Sequence, residues 1–174
     1  SAGQNPIQEI FDRSNKRIKD HKEINPKSSI HSLQKNIAHV SELFLGHVRY
    51  GTFGKNSVEA VHPFLRQNNW MHRNLIVAGN FNMTNNKELF DDLVMLGQHP
   101  KEMSDTVTVM ERIGHFLDDA VGKKYKKIKK DGITKIEASS IIGEQLDLIK
   151  ILKKASKDWD GGFVIGGLVG HGDA

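Results

Sequence analysis

Two short apolar runs, "NLIVAGN" at residues 74–80 and "FVIGGLV" at 163–169, constrain this chain more than any other feature. Each is bounded by Gly, Asn or Asp, is too short for a helix, and is rich enough in β-branched side chains to read as a buried strand. A third run, "ELFLGHVRY" at 42–50, has the same character. Strands of this kind must be packed by something, and the rest of the chain supplies helices.

Ile7, Ile10, Phe11 and Ile18 suit one helical face, and Ile30, Leu33, Ile37 and Val40 repeat the spacing beyond Pro26. Asn85 or Asn86 can cap a helix carrying Leu89, Phe90, Leu93 and Val94, with Gly97 as its stop. The strongest helical pattern follows Ser104 and Asp105, with Val109, Met110, Ile113, Phe116, Leu117 and Ala120 on one face. A further helix is expected to carry Ile141, Ile142, Leu146, Ile149 and Leu152. Between the first two strands, "GTFGKNSVEAVHPFLRQNNW" has turn chemistry and no sustained period, which predicts a long functional loop. Its Phe53, Phe64 and Trp70 either shield a substrate pocket or pack the loop onto the sheets.

At 174 residues the length is that of one domain. No apolar run approaches the roughly 18 residues of a membrane span, and the start lacks a secretory signal, so no membrane partner is expected. Cysteine is absent, which removes disulfides, thiolate metal sites and any cysteine nucleophile from these residues and points to a cytoplasmic setting. The net charge of +4 is local: "KKYKKIKK", residues 123–130, holds six of the 25 basic side chains. With one Tyr and no stacking platform it reads as a solvated helix end or loop, and no nucleic-acid partner is expected. The histidines form no His-Glu-x-x-His pair, so His47, His62 and His72 read as structural or surface residues and no metal is expected. "GGFVIGGLVG" does not precede a helix and is not read as a phosphate loop, so no cofactor is expected; Trp159 before it reads as core.

Three polar motifs remain. Arg49 ends the apolar run at 42–50, "GNFNMTN" (79–85) ends the run at 74–80, and Asp105 opens a helix. A guanidinium binds a carboxylate through two parallel hydrogen bonds and an aspartate binds an ammonium, so Arg49 and Asp105 match the two charged ends of a free α-amino acid. Asn80 and the backbone N–H of Phe81 suit an oxyanion.

"GHVRYGTFGKNSVEAVHPF", "LIVAGNFNMTN" and "MSDTVTVMERI" stand in the order and near the spacing of the class II glutamine amidotransferases. The chain resembles them most in the glutaminase domain of the amidophosphoribosyltransferases. The likeness is dense from Phe44 to Leu117, returns at "WDGGFVIGGLVGHGD", and does not reach residues 1–40. It implies an α+β fold, the αββα four-layer sandwich of the N-terminal-nucleophile hydrolases, here incomplete. It also implies a reaction in which an N-terminal cysteine hydrolyses glutamine and ammonia passes to phosphoribosyl pyrophosphate in a second domain, the first step of purine synthesis. Carried over, Arg49 binds the glutamine α-carboxylate with Thr52 close by, Asp105 binds the α-ammonium, and Asn80 and Phe81 form the oxyanion hole.

The chain departs from that pattern in three places. Phe81 stands where the family has a glycine, Gly51 where it has a serine, and the nucleophilic cysteine with its strand is missing. Ser1 is a poor substitute, because "SAGQNP" is not strand-like. The expectation is therefore the central part of one amidotransferase domain, 1–174, truncated at both ends and without glutaminase activity, its parent being the enzyme and a possible homo-oligomer. The alternative is a non-catalytic binding or scaffold domain that kept the amidotransferase fold.

Overall fold

A computed structural model describes residues 5–48, 61–129 and 132–170, which fall into two compact units, Ser1–Phe44 and Leu45–Ala174. In the first, α1 (Pro6–Ile24) starts with a proline in its first turn, where the missing N–H costs nothing. Ser29 caps α2 (Ile30–Asn36), its hydroxyl accepting the Ser32 N–H at 3.2 Å. Leu33, Ile37 and Ser14 are buried. The Ser14 hydroxyl lies 3.0 Å from the Ile10 carbonyl and 3.3 Å from that of Ala38. The repeat expected to run through Val40 stops at Asn36, because Ile37 is extended and His39 takes φ 63°. Ile7 and Phe11 are exposed rather than core, with Phe11 set edge-on to Phe44 at 5.4 Å.

The second unit is built on a three-stranded antiparallel sheet in the order β1 (Phe64–Arg66), β2 (Leu75–Met83), β3 (Gly161–Val169). β1 pairs Phe64 with Val77, and β2 pairs Leu75 with Val169 through to Met83 with Gly161. Side chains alternate along a strand. Leu75, Val77 and Met83 enter one core with Val109, Met110, Ile113, Leu117 and Val121, and Phe81 packs against it. The other face carries Ala78, then the exposed Asn80 and Asn82.

The helices are α3 (Asn86–Met95), α4 (Asp105–Ile128), α5 (Lys135–Gln145) and α6 (Leu148–Ala155). With α1 and α2 they make six α-helices among the described residues, and the class is α+β. α4 lies against β2 and starts where the sequence predicts: Ser104 is the cap, accepting the Val107 N–H at 3.4 Å, and Asp105 is the first helical residue. Residues 123–128 of the lysine run form its last turns, where cations suit the helix dipole, and Val121 and Ile128 carry the buried face beneath them. α3 ends as predicted at Gly97, φ 81°, whose N–H reaches Val94 O while that of Gln98 reaches Leu93 O. Trp159, read as core, is half-buried and packs against the core, edge-on to Phe163 at 5.1 Å.

Three expectations are corrected. Residues 43–48 form no strand: Leu45 instead reaches over the sheet, 3.4 Å from where a Cβ on Gly166 would stand, while Leu43, Phe44 and Val48 stay exposed. The long segment read as loop contains β1, three residues that Pro63 and Asn68 conceal by their turn chemistry. The single helix expected through Leu152 breaks at Leu146, because Asp147 offers α6 a cap, accepting the Lys150 N–H at 2.9 Å.

Arg66 fixes β1 to α4. Its guanidinium bonds Glu111 at 2.9 Å and Asp118 at 2.7 Å. Burial alone would lower its pKa, but the hydrogen bonds and charges of Asp118 and Glu111 together outweigh it and hold the group above its ordinary value.

Candidate functional site

The chemistry-bearing residues collect along one edge of β2. Gly170 N–H bonds Asn74 O and Thr84 N–H bonds Asp160 O, so the even-numbered backbone groups of this stretch face β3. In an antiparallel ladder the odd-numbered ones then face the other way. Two of them have partners: Gly79 N–H donates to His62 Nδ1 at 3.1 Å, and Met83 N–H donates to Asp105 Oδ2 at 2.9 Å. Phe81 N–H faces the same edge midway between them, roughly 7 Å along the strand from each.

Asp105 reaches this edge because it is the first residue of α4, half-buried, with Ser104 taking the capping role. One carboxylate oxygen is held by Met83. The other makes no hydrogen bond among the described residues, so an anionic acceptor is presented beside the Phe81 N–H edge.

Asn80 and Phe81 lie within β2, not after it: the strand runs three residues past "NLIVAGN" and pairs Asn80 with Val164 and Phe81 with Phe163. The Asn80 side chain projects from the face opposite α4, whereas the Phe81 ring packs toward the core. That ring lies over Gly79, where an added Cβ would meet it at 2.8 Å and the Val164 carbonyl at 2.3 Å. Arg49 and Thr52 lie outside the described residues, as do Phe53 and Ser1.

Two residues at this edge have no signal in the sequence. His62 Nε2 lies 3.0 Å from Thr106 Oγ1, a contact across 44 residues that no local period announces. The His62 ring also stands 4.7 Å from that of His47 and edge-on to Phe64 at 5.1 Å. Two histidines read as unrelated are thus neighbours.

An apolar cavity of about 360 Å³ lies on the helix side of the sheet, between Leu75, Leu117, Ile151 and Phe163. Among the described residues no titratable side chain lines it, so they offer no acid, base or ion to a substrate there.

Neither a family model, nor a curated protein, nor a solved structure matches the chain. Among the described residues no helix is long and apolar enough to cross a membrane.

Proposed function

We propose that this chain is the glutamine-binding part of a class II glutaminase domain, whose parent hydrolyses glutamine and supplies ammonia to phosphoribosyl pyrophosphate. The observation that carries the reading is the meeting, on one edge of β2, of the Asp105 carboxylate and the edge to which the Phe81 N–H points. A carboxylate with one oxygen fixed and one unengaged suits an α-ammonium, and a backbone N–H aimed from a rigid central strand suits a developing oxyanion. Arg49 completes the set by resemblance, pairing with the α-carboxylate beside Thr52, and the Asn80 amide is the second oxyanion donor. On this reading a second sheet covers the face that carries Asn80, giving the four-layer sandwich. The nucleophile is not among these residues, since none is a cysteine.

The test is a ¹H–¹⁵N NMR titration of the 174-residue chain with L-glutamine, with D-glutamine as the stereochemical control. L-glutamine is expected to shift the amides of Phe81, Met83, Asp105 and Thr106, and D-glutamine to leave them in place. Amides indifferent to both would overturn the reading. The second reading is a scaffold domain that kept the fold; a parent that binds L-glutamine and releases no ammonia would establish it.

A further inference from the structure

The inference concerns His62 and rests on the glutaminase reading of the site. A backbone N–H can only donate, so the Gly79 N–H at 3.1 Å requires a lone pair on His62 Nδ1. A neutral imidazole then carries its proton on Nε2, which lies 3.0 Å from Thr106 Oγ1 and donates to it. The two bonds therefore select one tautomer of a neutral ring.

That ring joins the β2 edge to the first turn of α4. Thr106 follows Asp105 directly, and Asp105 is itself bonded to Met83 N–H at the other end of the same edge. His62 and Asp105 thus fasten α4 to β2 on either side of Phe81. These two hydrogen bonds of His62 use no atom that the proposed substrate needs. We infer that His62, as the neutral Nε2–H tautomer, is a positioning residue that sets the separation between the Phe81 oxyanion donor and the Asp105 carboxylate that receives the glutamine ammonium.

Protonating His62 would place a second donor against the Gly79 N–H and release that side of the clamp. His47 stands ring to ring with His62 at 4.7 Å, and Asp105 directly precedes the Thr106 that His62 contacts. Phe64 and Phe81 contribute uncharged walls.

The experiment is imidazole and amide NMR of the full chain as a function of pH, with and without L-glutamine. The expected result is a protonated-nitrogen signal at His62 Nε2 and an unprotonated one at Nδ1, with the Gly79, Phe81 and Thr106 amides titrating at the His62 midpoint. His62→Gln, whose oxygen and N–H mimic Nδ1 and Nε2 without titrating, should keep L-glutamine affinity within about twofold and abolish the pH dependence of those amides. His62→Phe should weaken L-glutamine binding roughly five- to tenfold, the loss of one or two hydrogen bonds. If His62→Phe does not fold, the wild-type titration and the Gln variant carry the test. The opposite tautomer, amides that ignore His62, or equal L-glutamine affinity in wild type and His62→Phe would each overturn the inference while leaving the glutaminase reading intact. A wild-type chain with the expected tautomer and no response to L-glutamine would overturn the glutaminase reading, and with it the role of His62 in placing substrate.

Discussion

Gly79 and Asp105 divide the work at the β2 edge, one by having no side chain and the other by having a charged one. An alanine Cβ at 79 would stand 2.3 Å from the Val164 carbonyl, a backbone atom in the paired strand that has little room to move. Gly79→Ala should therefore destabilise the protein by ~1–3 kcal/mol, measured by chemical denaturation, and should lower hydrogen-exchange protection first at the β2–β3 ladder. Unchanged stability would mean that the strands separate freely there. Asp105 behaves differently, because its bond to Met83 needs an acceptor but not a charge. Asp105→Asn keeps that acceptor, so its stability should stay within ~0.5 kcal/mol of wild type, while under the proposed glutaminase reading L-glutamine binding falls at least tenfold for want of the ammonium partner. A variant that loses stability and binding together would make Asp105 a structural cap.

Among the elements, those whose signals are local were legible and those that depend on distant partners were not. Ser104, Gly97 and the 3.6-residue period from Val109 to Ala120 act within their own helices, and α3 and α4 appear where those residues place them. β1 has three residues and no pattern of its own; it exists because β2 pairs with it and because Arg66 is gripped by Glu111 and Asp118 on α4. The same holds at the candidate site. Asp105 was visible as a helix start, whereas His62 needed Thr106 and Gly79 brought to it by the fold. The Arg66 clamp is testable through Gly114 on α4, where an added Cβ would stand 2.3 Å from Arg66 Nε. Alanine favours a helix over glycine by about 1 kcal/mol, yet Gly114→Ala should lower thermal stability, because displacing the guanidinium costs more than that gain. A rise in Tm would show that Arg66 moves aside freely. At α5 the capping box is a pH sensor. The Thr134 hydroxyl, then the Thr134 N–H, bonds the Glu137 carboxylate and holds its pKa below the ordinary value of 4.5. A depressed folded pKa contributes stability that is present above the unfolded pKa and is lost as pH falls through the folded one. Amide protection in the first turn of α5 should fall on acidification below about pH 4.5. Glu137→Gln, which can still complete the box, should flatten that dependence.

The molecule as a whole distributes its buried side chains unevenly, and that distribution decides where it opens. In the unit Ser1–Phe44, the 19 residues of α1 bury one side chain, that of Ser14, and α2 adds Leu33. In the unit Leu45–Ala174, α4 alone buries eleven residues, with Val109 and Leu117 fully enclosed beside Val77 of β2. A helix with so little apolar surface removed from water gains little from tertiary packing, the source of most helical stability in proteins. The composition, 37% apolar, announces a folded protein but not this asymmetry, because Ile7 and Phe11 suit a helical face in the sequence and stand exposed in the structure. Native-state hydrogen exchange should resolve the difference: α1 amides exchanging through local opening of small free energy, and β2 and α4 amides through global unfolding of their unit. Leu117→Ala, which removes a side chain of 0% exposure from the centre of that core, should cost ~2–5 kcal/mol and lower the protection of β2, β3 and α4 together by that amount. The α1 amides, already opening locally, should keep their exchange rates. A uniform loss across both units would show that α1 draws its stability from the core around Leu117.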